Sequence, residues 1–200
     1  MKKKLLNNIT SNIKKNKKDV TEEELEIIEY GLESLYLTFT KVIIIVLLSI
    51  VLNIFKETIL MLLFYNIVRF FAFGLHAKNS IACLITSLLL FIGGTYLAIY
   101  INLSIELKII LSIICLILIA IYAPADTEKR PLINTKKRKR FKILSIITSL
   151  IMTCLIIKFD GSYISNFMLI GYIESTIMIL PITYKIYGLP YNNYKSYNKT

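Results

Sequence analysis

Six blocks of apolar residues constrain this chain more than any other feature. They cover 35–54, 57–75, 82–101, 105–123, 143–158 and 163–186. Most of them approach the roughly 20 residues that a helix needs to cross a bilayer, and the fifth is the shortest. A soluble domain of 200 residues would gather its apolar side chains into one core under a polar exterior. Here 56% of residues are hydrophobic, only 18% are charged, and the mean hydropathy is +0.64. The reading is all-α: a polytopic helical membrane protein of about six transmembrane helices. Residues 1–34 are polar, and the first apolar block is too long for a signal-peptide core, so it reads as a span.

Charge placement sets the expected orientation. With a cytoplasmic amino terminus the spans alternate. All but three of the 24 Lys and Arg then face the inside, and the three outer ones are Lys56, Lys108 and Lys158. The inner set includes seven Lys in 1–18 and eight Lys or Arg in 129–142, as the positive-inside rule expects. Lys185, Lys195 and Lys199 follow the last span and favour an even number. The net charge of +11 therefore calls for no nucleic acid. It reads as topology plus attraction to anionic lipid headgroups, at about 1 kcal/mol per basic residue near the surface.

The amino-terminal region predicts a helix before the first span. Val20-Thr21-Glu22-Glu23-Glu24-Leu25 has the form of a capping box with a hydrophobic staple. Leu25, Ile28, Leu32 and Leu35 follow at helical spacing. An amphipathic helix is expected over 22–34, its acids forming a solvated face or gripping a basic partner. The organisation is a cytoplasmic amphipathic region at 1–34, a membrane-embedded domain at 35–187 and a cytoplasmic tail at 188–200.

Between spans two and three the chain reverses near Phe73–Ser80. Gly74 permits the turn, and Asn79 or Ser80 can cap the next helix. This places His76, the single histidine, in a loop and Cys83 in the first turn of the following helix. A thiolate at a helix amino terminus is stabilised by free N–H groups and the helix dipole. Those N–H groups also suit an oxyanion, and a nearby histidine suits the proton transfers. On one unbroken helix the two residues would stand about 10.5 Å apart along the axis, so His76 must precede the helix and fold back. Arg69, seven residues before His76, suits a substrate carboxylate or a tetrahedral intermediate. From spacing alone two readings stay open: a nucleophile with its base, or a small buried hydrophobe beside a surface histidine. Cys115 and Cys154 lie mid-span among Ile and Leu and read as packing. One histidine and three scattered cysteines make no metal cluster, and no cofactor is expected. Glu174 is an acid well inside a span, a functional candidate without an obvious partner.

Two motifs carry a resemblance. Arg69-Phe70-Phe71-Ala72-Phe73-Gly74-Leu75-His76-Ala77 with Cys83, and Ala123-Pro124-Ala125-Asp126-Thr127-Glu128-Lys129-Arg130-Pro131, resemble the accessory gene regulator B (AgrB) family of Gram-positive bacteria. The likeness extends to length, span pattern and basic termini. It implies a membrane-embedded cysteine endopeptidase of quorum sensing. Such an enzyme cleaves the carboxy-terminal tail of a small AgrD-like precursor peptide and helps form a cyclic autoinducing peptide. The family's histidine and cysteine fall on His76 and Cys83, and its arginine and glycine on Arg69 and Gly74. The resemblance also implies a homodimer, and no third residue orienting His76 is evident beyond the candidates Asn79 and Asp126.

On the expected topology the basic loop Lys136-Lys137-Arg138-Lys139-Arg140 faces the same cytoplasmic side as His76 and Cys83, so it is a candidate for holding an acidic precursor tail. The rival classes are a peptide or ion transporter, with Glu174 and Gly93-Gly94 marking a path and Pro181 a kink, and a scaffold that presents the precursor to another protease. Neither needs the Cys83 thiol.

Overall fold

The computed structural model describes residues 22–75, 80–128 and 131–197. Most of these residues are helical, and no strand occurs among them. α1 runs over Glu22–Val51, α2 over Phe55–Ala72 and α3 over Ser80–Leu88. A π-helical turn at Leu89–Gly93 joins α3 to α4, Gly94–Tyr100, so that Ser80–Tyr100 is one continuous helical rod. α5 covers Ile105–Tyr122, α6 Thr135–Lys158, α7 Tyr163–Ile177, α8 Pro181–Ile186 and α9 Tyr194–Tyr197. The helix expected over 22–34 is the first part of α1, which continues to Val51, while the expected capping residues Val20 and Thr21 lie outside the described residues. By length and apolar composition Ser80–Tyr100, α5 and α6 suffice to cross a membrane. α2 and α7 also run through apolar blocks. α2 carries Lys56, Glu57 and Arg69 near its ends, and α7 is shorter, with 15 residues.

Two compact units divide at Leu48 and Ser49. Within 49–200, α2 packs against α7 and α6, α5 against α6 and α7, and α4 against α7. The distribution of side chains is that of a protein in lipid. Large apolar residues such as Leu63, Ile85, Leu89, Ile117 and Ile151 are exposed, while Ser112, Ser145, Ser149, Ser165 and Thr95 are fully buried. Lipid is as apolar as leucine and gives no reward for burying it, so helices meet through small residues and hydrogen bonds instead. Thr95, Ser87 and Thr153 return their hydroxyls to carbonyls four residues back, and Ser149 is hydrogen-bonded to Tyr172. Gly171 brings α7 against α2 so closely that a Cβ would stand 2.9 Å from the Tyr65 amide nitrogen.

The ends of the helices sort into two groups. At one end Asn166 donates to the Ile101 carbonyl at 2.9 Å, and Lys108 pairs with Asp160 at 2.7 Å. The hydrogen bond from Lys108 holds the Asp160 carboxyl below the usual carboxylate range. One of the three cations expected on the outer side is thus buried and paired. At the other end the segments 73–75, 123–126, 178–180 and 193–194 are bonded together.

Three sequence expectations need correction. Residues 136–140 are not a loop: α6 starts at Thr135, capped by Asn134, whose side chain accepts from the Lys137 amide at 3.1 Å. The fifth span is therefore part of a longer helix. Pro181 does not kink span six. α7 ends at Ile177, and Pro181 opens α8 at a position where its missing N–H costs nothing. Cys154 is exposed on α6, whereas Cys115 is buried as expected.

Candidate functional site

α2 ends in a turn that only particular residues can make. Phe73 leaves the helix at φ 59 and Gly74 follows at φ 124, a region that disfavours any side chain. The Phe73 amide still donates to the Arg69 carbonyl at 2.9 Å. The next two amides are taken by other segments: Gly74 donates to the Ala125 carbonyl at 3.0 Å and Leu75 to the Met178 carbonyl at 3.2 Å. In return the Ala125 amide donates to the Ala72 carbonyl at 2.9 Å. The two motif segments singled out in the sequence, 69–77 and 123–131, are thus bonded to each other, with the end of α7 as a third support.

Arg69 lies in the last turn of α2, where its charge is favoured by the helix dipole. Its Nη2 donates to the Leu75 carbonyl, and the guanidinium sits over the Tyr65 ring at 5.4 Å. Nη1 is buried and has no hydrogen-bond partner among the described residues. A Cβ on residue 74 would fall 2.7 Å from Nη1 and 2.9 Å from the Met178 carbonyl. Glycine at 74 is therefore required twice, by its backbone angle and by the close passage of Arg69. Beside them lies a cavity of about 250 Å³ lined by Arg69, Phe70, Phe73, Gly74, Ala125, Asp126, Thr127 and Phe141.

His76 and Asn79 lie outside the described residues. The residue before His76 is Leu75, fixed through both its amide and its carbonyl, and α3 begins at Ser80. Cys83 is therefore in the first turn of α3, half-buried, and all three cysteines are thiols. One turn further on, Thr86 shares a hydrogen bond with the Tyr187 hydroxyl at 2.6 Å, tying α3 to the segment after α8.

Asp126 holds the carboxyl-terminal segment. Its carboxylate accepts from the amides of Asn193 at 3.0 Å and Tyr194 at 2.8 Å, and more weakly from Leu132 at 3.3 Å. Its carbonyl accepts from the Tyr184 hydroxyl at 2.9 Å. The carboxyl-terminal segment is thereby clamped over the 123–126 loop. Arg138 extends the clamp, with its guanidinium 3.3 Å from the centre of the Tyr194 ring. Burial pushes the neighbouring Tyr191 phenol up to about 12. Of the five basic residues at 136–140, only Arg138 is half-buried; Lys136, Lys137, Lys139 and Arg140 are exposed. No group of acids, histidines and cysteines suited to a metal occurs among the described residues. Glu174 is buried in α7 against Gly94, where a Cβ would meet its Oε1 at 2.3 Å, and its Oε2 lacks a hydrogen-bond partner among the described residues.

The sequence pattern agrees with this arrangement of paired motifs. A family model described as Accessory gene regulator B matches residues 6–180. The chain belongs to the accessory gene regulator B family. It is 35% identical over 177 residues to a putative AgrB-like protein of Clostridium acetobutylicum, covering 88% of this chain and 85% of that protein. It is 38% identical over 155 residues to accessory gene regulator protein B of Staphylococcus aureus, covering 78% of this chain and 82% of that protein. A putative AgrB-like protein of Listeria innocua is 31% identical over 172 residues, 85% of this chain and 83% of its own. No solved structure matches the chain. This AgrB-family chain is a helical membrane protein of accessory gene regulation. The family match takes in both bonded motifs and Cys83, whereas Asn193 and Tyr194 of the clamp fall beyond it. Phe141, Tyr187 and the clamp were not singled out from sequence. Phe70 and Phe73 stood inside a quoted motif, but nothing local marked them as the walls of a cavity.

Proposed function

We propose that the protein is a membrane-embedded cysteine endopeptidase of quorum sensing, with Cys83 as nucleophile and His76 as its base. The observation that carries this reading is the half-buried Cys83 in the first turn of α3, next in the chain after a turn anchored at Gly74 and Leu75. At a helix start, the positive end of the helix dipole favours a thiolate and a developing oxyanion. His76 accepts the thiol proton as the sulfur attacks the scissile carbonyl. The tetrahedral intermediate collapses, the C–N bond breaks, and His76 returns the proton to the leaving amine. The departing fragment is the carboxy-terminal tail of a small precursor peptide. The remaining peptide is held on Cys83 as a thioester. An internal thiol or hydroxyl of the peptide then displaces Cys83, closing a ring and restoring the free thiol. A membrane boundary limits the water that would hydrolyse the thioester.

The same reading puts the amino terminus and both residues on the cytoplasmic side, with anionic lipid around the basic segments and a second copy of the chain as a partner. The exposed cations of α6 suit an acidic precursor tail. The test uses the purified protein in lipid with a candidate precursor and mass spectrometry of the intact chain. A peptide adduct on Cys83, absent in Cys83→Ala, is expected. Normal processing by Cys83→Ala refutes the enzyme reading and leaves a transporter or scaffold.

A further inference from the structure

Cys83 stands on a thinly packed helix. No residue of α3 is buried, whereas α4, in the second half of the same rod, packs against α7 and buries Gly94, Thr95 and Ala98. The π-helical turn at Leu89–Gly93 separates the two halves, and such turns are places where a helix bends. A misplacement of about 1 Å at a reacting group can slow a reaction about a hundredfold. The first turn of α3 therefore needs support from outside its own helix.

Thr86 stands one turn after Cys83. That spacing puts the two side chains on one helix face, with Cβ atoms about 5–6 Å apart. Thr86 Oγ1 lies 2.6 Å from the Tyr187 hydroxyl and donates to the Ala82 carbonyl at 2.8 Å. A threonine hydroxyl has one proton. With that proton on the Ala82 carbonyl, Thr86 must accept from Tyr187, so the phenol is the donor. The bonds then run in one direction, from Tyr187 through Thr86 to the peptide unit that joins Ala82 to Cys83. Bonds in such a chain polarise and strengthen one another. Ser87 adds a further bond to the same turn, from its hydroxyl to the Cys83 carbonyl at 2.8 Å.

Tyr187 is itself fixed from both sides. It caps α8, its amide donating to the Thr183 carbonyl at 3.1 Å. Two residues on, the Leu189 amide donates to the Tyr184 carbonyl at 2.9 Å. Tyr184 is buried, and its hydroxyl donates to the Asp126 carbonyl at 2.9 Å. Ala125, next to Asp126, is the residue that bonds the turn at Gly74. The Tyr187 phenol thus ties α3 to the same support that holds the turn before His76. The family match ends at residue 180 and does not reach Tyr187.

We propose that Tyr187 is a positioning residue for the Cys83 nucleophile, its hydroxyl fixing the first turn of α3 through Thr86 against the support formed by 123–126 and the turn at Gly74. This rests on the endopeptidase reading above. Tyr187 acts through Thr86 and sets where the thiol stands, not how tightly the peptide binds.

The test separates chemistry from binding, with the protein in lipid nanodiscs and a synthetic, fluorescently labelled copy of the precursor used for the Cys83 adduct. Tyr187→Phe is expected to slow adduct formation at saturating precursor about tenfold. The dissociation constant, read by fluorescence anisotropy with Cys83→Ala added, is expected to stay within about twofold. Thr86→Val should match Tyr187→Phe, and Thr86→Ser, which keeps the hydroxyl, should recover most of the rate. The variant carrying both Tyr187→Phe and Thr86→Val should be no slower than the slower single variant. An unchanged rate in Tyr187→Phe, losses that multiply in the double variant, or a loss of affinity without a loss of rate overturns the proposal. A second readout needs no cleavage. Amide hydrogen exchange over 80–88 should speed about two- to tenfold in Tyr187→Phe, the range for one neutral hydrogen bond, while 94–100 is spared. Unchanged exchange over 80–88 overturns the proposal whatever the adduct shows. Faster exchange there with no adduct on the unchanged protein retains the tie of Tyr187 to α3 and refutes the enzyme reading.

Discussion

Replacing Asp126 by alanine should release the carboxyl-terminal segment while leaving the helical core folded. The carboxylate holds two short amide contacts, 2.8 Å from Tyr194 and 3.0 Å from Asn193, and a longer one from Leu132 at 3.3 Å. A hydrogen bond to a charged group contributes about 1.5–3 kcal/mol. The long contact adds little. Asn193 is buried, so its amide loses its partner outright, whereas the half-buried Tyr194 regains water. The local cost is therefore about 2–4 kcal/mol, roughly a 30- to 1,000-fold loss of protection against opening of this segment. The bond from the Tyr184 hydroxyl goes to the backbone carbonyl of residue 126 and survives the change. The assay is amide hydrogen exchange of the protein in nanodiscs, read on peptides covering 188–197 and on those covering α2. Asp126→Ala should speed exchange in the first and spare the second. Asp126→Asn keeps one acceptor oxygen and should give a smaller effect. Unchanged exchange at Asn193 and Tyr194 in the alanine variant refutes the clamp, and equal acceleration in α2 refutes its local character.

Gly171→Ala should destabilise the chain by about 1–3 kcal/mol, because the new methyl meets the Tyr65 backbone and not a movable side chain; thermal unfolding in detergent measures it, and an unchanged midpoint contradicts the close packing of α2 on α7. The Lys108–Asp160 pair gives a pH dependence of known sign. The folded carboxyl titrates below the ordinary aspartate value of 3.8, so its stabilisation is fully present above that value and is lost as pH falls through the lowered one. Asp160→Asn should flatten the melting temperature between pH 5 and the acid limb, and a wild-type profile in the variant contradicts the pairing. Changing Lys136, Lys137 and Lys139 together to Gln should weaken precursor binding and its salt dependence with little change in turnover at saturation, whereas Arg138→Gln should also loosen residue 194 in hydrogen exchange. Cys115→Ala and Cys154→Ala should leave processing intact. Cys115 carries whatever packing cost there is, about 1 kcal/mol or less, since Cys154 is exposed.

Local rules made the helices legible, and they failed where a local rule met a distant partner. The apolar blocks located α2, the rod Ser80–Tyr100 and α5 to within three residues at each end, because in lipid a backbone can satisfy its polar groups only within its own helix. The start of α6 was missed for a physical reason. Five consecutive cations oppose the positive end of the helix dipole, so the run reads as a loop. Asn134 caps the helix, Arg138 finds the Tyr194 ring, and the other cations stay in water. Pro181 was read as a kink because nothing nearby announces that the chain has already turned at 178–180, a turn set by hydrogen bonds from Met178, Ile179 and Leu180 back into α7.

The site divides the same way. Gly74 was legible as a turn, and the helix-start position of Cys83 followed from Ser80 and the polar residues before it. Arg69 and Gly74 were expected to matter, but not for their effect on each other, since the 2.7 Å approach of a Cβ at 74 to the guanidinium exists only once the chain has folded back. The Asp126 clamp joins residues 67 and 68 positions apart, and no periodicity reports a pairing of that kind. An aspartate in a loop before a proline has many uses, and which one it serves depends on which amides arrive. Here the arriving amides come from the tail, so the 123–126 loop is bonded to the α2 turn on one side and to the tail on the other. Loosening the tail should therefore disturb the Ala125 bond to Gly74 before it disturbs α3. A change at Asp126 should in that case speed amide exchange at Gly74, whose amide donates to Ala125, more than it alters the reactivity of the Cys83 thiol toward a small alkylating agent. Equal effects on both would mean that the clamp supports the whole of this end of the helices and not the turn at Gly74 in particular.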